Sequence, residues 1–175
     1  MVAATPSGQQ LWSLFTAKAE LVSAAVLRAG TSLAALDLLR EAGSEFGHTA
    51  SLAQHFPEIA GAAGQRIERG FHPPEVAAAA QLAVAETGSV VLDEPDGDRA
   101  ACFLAERLWV LVDADQIVPS LEQALARIQA LVAGGSHHAQ LVTGPSRTAD
   151  IERVLTVGVH GPRALVVVAV GELSA

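Results

Sequence analysis

The sequence holds one cysteine, no tyrosine and few aromatic residues of any kind, 4% of 175. A single cysteine cannot close an internal disulfide, complete a zinc knuckle or ligate an iron–sulfur cluster, so cluster chemistry would need a partner protein. Cys102, beside Phe103 and Leu104, reads as a small buried hydrophobe, and a reducing compartment is compatible with it. Basic residues are scarce too: 11 Lys and Arg against 19 Asp and Glu give a formal net charge of −8. No Lys/Arg cluster offsets that balance, which argues against a nucleic-acid partner. No apolar run approaches the ~20 residues of a membrane span, and the opening MVAATPSGQQ has neither region of a signal peptide. A soluble, cytoplasmic protein is expected. The phosphate loop, the G-x-G-x-x-G turn, the nucleophile elbow and H-E-x-x-H are all missing.

Half of the residues are hydrophobic, so the core must be built from Leu, Val and Ala. That suits helices packed on a parallel sheet. One domain over residues 1–175 is expected, with an N-terminal helical segment over about 7–20. Leu21–Leu27 reads either as the end of that helix or as a first strand. Ser32 predicts a capped helix to about Ala42 with Leu33, Leu36 and Leu38 or Leu39 inward. Residues 44–72 show no sustained period, and His48, His55 and His72 there read as surface histidines. Pro73-Pro74-Glu75 predicts a short helix running through the alanines to about Ala80.

Leu82–Ala85 and Ser89–Leu92 read as strand-like runs separated by Glu86-Thr87-Gly88, which suits a hairpin or a sharply bulged strand. Asp93–Asp98 reads as a solvated acidic turn without calcium-loop spacing. Leu108–Val112 is a strand that ends at Asp113 and Asp115, either a functional position or loop chemistry. Ser120 followed by Gln123 predicts a capped helix ending at Gly134-Gly135. Leu141–Val170 reads as strand, Gly-Pro turn, short helix, Gly-rich loop and a buried strand, Ala164–Val170. The alternation of strands and helices predicts a three-layer α/β fold with a mostly parallel sheet.

Two places carry polar groups at strand junctions. Gly144, Ser146, Arg147 and Thr148 suggest anion capture at a turn that opens a helix. Asp150 and Glu152 in that helix's first turn would repel an anion, and the alternative is a well-capped helix. Glu86 in its tight turn is a candidate for desolvation and acid–base or nucleophilic work, or else for accepting backbone N–H bonds in its own turn. His160 in Val159-His160-Gly161-Pro162 is a candidate base, or a hydrogen-bonded structural histidine. The candidate site is therefore Glu86 and His160 as catalytic groups, with Thr87, Gly88, Gly144, Ser146, Arg147, Thr148, Asp150, Glu152 and Gly161 as ligand-binding groups. No metal site is expected.

Ala85–Leu92 (AETGSVVL) and Thr143–Leu165 (TGPSRTADIERVLTVGVHGPRAL), with Asp115-Gln116-Ile117-Val118, resemble the lactate-utilisation protein C family, the LUD domain. The resemblance implies a fold related to the ribose-5-phosphate isomerase and CoA-transferase-like proteins. It also implies a place in a multi-protein system oxidising L-lactate to pyruvate, with iron–sulfur clusters only on partner subunits and this chain as the cluster-free accessory member. Glu86-Thr87-Gly88 echoes the Glu-x-Gly turn of CoA transferases. This keeps open a second reading: an enzyme acting on an anionic acyl or phosphate substrate. A purely structural interaction module is the third.

Overall fold

The computed structural model describes residues 6–41, 46–68, 73–148, 156–158 and 161–174. Helix α1 (Gly8–Leu21) opens on a reciprocal cap: Ser7 Oγ accepts the Gln10 N–H and Gln10 Oε1 accepts the Ser7 N–H. There follow β1 (Ala25–Ala29), α2 (Ser32–Glu41), β2 (Phe46–His48), α3 (Ala50–His55), α4 (Pro57–Ala63) and β3 (Gly64–Arg66). The middle of the chain forms β4 (Glu75–Ala79), β5 (Leu82–Val84), β6 (Ser89–Asp93), α5 (Asp96–Leu104), β7 (Arg107–Asp113) and β8 (Ile117–Val118). Last come α6 (Leu121–Ala133), β9 (Ala139–Val142), β10 (Arg147–Thr148), β11 (Thr156–Val157) and β12 (Ala164–Val170).

Six strands form a wholly parallel sheet in the order β1-β12-β7-β4-β2-β3. Successive side chains point to opposite faces, and both faces are covered. Leu108, Val110, Leu165 and Val167 pack with Phe15 and Ala19 of α1 and with Ala101 and Cys102 of α5. Trp109, Leu111, Val166 and Val168 pack with Leu36, Leu39, Leu52 and Ile59 of α2 to α4. The result is a three-layer α/β arrangement. A smaller mixed sheet, β8-β5-β6-β9, adds to the α1/α5 side, and α6 covers its outer face through Ala124.

Several sequence expectations meet a different outcome. Leu21–Leu27 divides: α1 stops at Leu21 and β1 begins at Ala25. Leu33, expected inward, is 67% exposed, whereas Leu36 and Leu39 are buried. Glu75–Ala79 is a central strand, not a helix. Its alanines have high helix propensity, but the strand lies between β2 and β7 with α3 and α5 packed on it, and small side chains permit that close approach. Leu141 and Val142 belong to β9, antiparallel to β6 in the smaller sheet. Arg147–Thr148 are extended and paired with Thr156–Val157, so Ser146 does not cap a helix, and the short helix expected beyond Thr148 lies outside the described residues. Among the described residues no helix is long and apolar enough to cross a membrane.

Candidate functional site

The turns at Ala85–Gly88 and Thr143–Ser146 meet at the end of α1. Gly88 and Gly144 both have φ +68°, a conformation favouring glycine. A Cβ on Gly88 would lie 2.3 Å from the Ala19 nitrogen, and one on Gly144 would lie 2.3 Å from the Val22 oxygen. Both turns thus rest their backbones on the last turn of the same helix. A line of hydroxyls ties them laterally: Thr87 Oγ1 to Ser89 Oγ at 2.7 Å, and Ser89 Oγ to Thr143 Oγ1 at 2.7 Å. Ser23, between α1 and β1, is the only non-glycine with positive φ among the described residues, at +68°. Its Oγ accepts a long hydrogen bond, 3.4 Å, from Arg147 Nη1.

Ser146 is held through its backbone, its N–H donating to the Pro162 carbonyl at 2.9 Å and its carbonyl accepting from Gly158 at 2.9 Å. Gly161 lies against it, since a Cβ there would be 2.9 Å from Ser146 Cβ. Phe103, Thr143, Gly144, Ser146, Arg147 and Gly161 line a pocket of about 510 Å³. It lies where β1 and β12 begin, at the amino edge of the parallel sheet. Thr148 lies in β10; Asp150, Glu152 and His160 lie outside the described residues.

Glu86 goes elsewhere. Its side chain is exposed, and Oε2 accepts the Leu121 N–H at 2.8 Å. It caps α6, where the helix dipole favours a negative charge. The desolvation expected of a carboxylate between apolar strands does not occur, because the turn presents this side chain outward.

The opposite, carboxyl edge of the sheet holds a cluster that the sequence conceals. Glu94 and Asp98, read as solvated, are 3% and 4% exposed. Asp98 accepts the Ala50 N–H at 2.6 Å and pairs with Arg66 at 2.9 Å. Ser51 Oγ donates to Glu94 Oε1 and accepts the Ala79 N–H at 2.9 Å, while Glu94 Oε2 has no partner among the described residues. Burial pushes the Glu94 carboxyl up to about 7, with Asp98 adding to the rise and the Ser51 and Thr49 hydroxyls opposing it. The Cys102 thiol is pushed well up by burial and by Glu94 and Asp98. It is a buried, protonated thiol, as its neighbours in sequence suggested. His48, expected on the surface, is buried, its Nδ1 3.3 Å from the Thr49 carbonyl. His55 is exposed, and His72 lies outside the described residues. Charge count misled here. The one legible signal was Thr49-x-Ser51, two hydroxyls at a helix entry directly after a short strand. Among the described residues no group of three or more His, Cys, Asp or Glu is placed to hold a metal ion.

Residues 77–170, more than half of the chain, match the LUD domain family. The chain belongs to the LUD domain family. Both turns, the Glu94–Asp98 segment and β12 fall inside the matched span, whereas α1 and Ser23 precede it. Lactate utilization protein C of Bacillus licheniformis is 36% identical over 107 residues, 59% of this chain and 45% of that protein. The protein of the same name from Deinococcus radiodurans is 38% identical over 92 residues, 51% of this chain and 43% of its own length. The chain thus spans less than half the length of these curated relatives. A crystal structure described as a DUF162 family protein from Deinococcus radiodurans has the same fold. The TM-score is 0.71 at 22% identity, over 95% of this chain and 100% of that one.

Proposed function

We propose that this LUD domain protein serves in lactate utilisation, as a cluster-free accessory member of a cytoplasmic iron–sulfur system that oxidises L-lactate to pyruvate. The pocket at the Gly144 turn binds a small carboxylate. The carrying observation is the meeting of the Gly88 and Gly144 turns on α1 with Arg147 beside them. One guanidinium among hydroxyls suits a single carboxylate, which Arg binds by paired hydrogen bonds. The names of the two relatives support lactate utilisation and no more. The lone, buried Cys102 agrees with clusters residing on partner subunits.

Growth on L-lactate tests this reading, in a host whose own copy of the gene is deleted. Wild-type protein restores growth and co-purifies with cluster-bearing proteins, Arg147→Ala restores it poorly, and Glu86→Gln restores it fully. Restored growth without any cluster-bearing partner removes the accessory role. Loss of growth in Glu86→Gln together with turnover of a CoA ester replaces it with the enzyme reading.

A further inference from the structure

A cleft of about 920 Å³ opens at the carboxyl edge of the parallel sheet, between the end of α3 and the length of α6. It is separate from the pocket at the Gly144 turn, which lies at the amino edge. Open α/β sheets most often seat ligands beyond the carboxyl ends of their strands. One wall here is a flat apolar strip, Ala126 and Ala130 of α6 with Leu131 beside them.

The uncommitted charge in this cleft is negative. Asp113 ends β7 there, and no described side chain hydrogen-bonds to its carboxylate. Partial burial and the neighbouring Asp115 raise its pKa, and His55 acts in the other direction. Asp93 adds a second carboxylate, which accepts from Ser136 Oγ at 2.6 Å. Helix α6 also ends into the cleft at Gly134 and Gly135, presenting the negative end of its dipole. Arg127 lines the same cleft and keeps its positive charge, with its Nη1 directed to Gln116 Oε1 at 2.6 Å.

We propose that this cleft binds an organic cation, an amine carried on a compact apolar body, with Asp113 facing the ammonium group and the Ala126–Ala130 strip covering the body. A bound ammonium gives the Asp113 carboxylate the hydrogen-bond donor that no described side chain supplies, and the apolar strip gains by removal from water. The inference is independent of the lactate reading, because a carboxylate is repelled from this edge.

Benzylamine, benzyl alcohol and benzoate share one body and differ in charge, which isolates the effect. Titrated into the full-length ¹⁵N-labelled protein, benzylamine is expected to shift the amide signals of Gln81, Asp113, Ala130 and Ser136 saturably, benzyl alcohol more weakly, and benzoate not at all. Asp113→Asn weakens benzylamine binding by ~10-fold or more, the usual effect of losing a charge-assisted hydrogen bond. Ala130→Trp fills the strip without altering charge and abolishes binding, with circular dichroism confirming the fold of both variants. Benzyl alcohol or benzoate binding as tightly as benzylamine overturns the proposal. So does benzylamine binding that neither substitution weakens, or no shift with benzylamine at all.

Discussion

Ser89 Oγ and Thr143 Oγ1 lie 2.7 Å apart, joining two turns that are remote in sequence. Ser89 is fully buried, and its hydroxyl also meets Thr87 Oγ1. Ser89→Ala leaves both threonine hydroxyls short of a partner, and a loss of about 1–2 kcal/mol is expected from urea unfolding. Ser89→Thr, which keeps the hydroxyl, is expected to lose less.

The glycines of the same turns are a sharper test. Alanine at Gly88 or Gly144 must adopt a positive φ and force its Cβ against the α1 backbone. Each substitution is expected to cost about 2–4 kcal/mol, from left-handed strain added to overpacking. Gly135→Ala is the control: its φ is also positive, but nothing lies within 4 Å of the new Cβ, so only the strain is felt. Thermal unfolding of the three variants separates the two contributions.

Glu94 gives stability a pH dependence of its own. Its pKa is about 7 in the folded protein against 4.5 for the ordinary carboxyl. The folded state therefore holds the proton more tightly, and folding takes one up between these values. The stabilisation is complete below about pH 4.5 and is lost as pH rises through about 7, a change of roughly 3 kcal/mol. Glu94→Gln removes this titration, so the variant gains on wild type as pH is raised from 5 to 8. Stability curves that stay parallel over that range contradict the assignment.

Glu86 is expected to matter to α6 and little to the pocket. Removing its bond to the Leu121 N–H by Glu86→Ala costs about 1 kcal/mol, as for other lost helix caps. Faster amide exchange confined to the first turn of α6, with the signals of Ser146 and Gly161 unmoved, is the expected result.

Where local pattern and tertiary demand agreed, the sequence was easy to read. The β5–β6 hairpin shows its two short apolar runs and its Gly88 turn, α6 shows its Ser120 cap, and Ala164–Val170 is apolar enough to announce a strand covered on both faces. Reading failed where neighbours overrule local preference. The alanines of β4 favour a helix until α3 and α5 press on both faces of the strand. Glu94 and Asp98 look solvated until Arg66, Ser51 and the Ala50 N–H, all distant in sequence, gather round them. Nothing near Glu86 reveals that the helix it caps begins at Leu121. Ser23 had no signature either, because its strained backbone arises from the junction of α1 with β1.

A titration of ¹⁵N-labelled protein with L-lactate tests the shared-pocket reading most directly. Saturable shifts are expected at Ser23, Thr143, Ser146 and Gly161 and are lost in Arg147→Ala, while Asp113 and Ser136 stay unmoved. Shifts that survive that substitution, or that appear only at the carboxyl edge of the sheet, would contradict a carboxylate site at the meeting of the two turns.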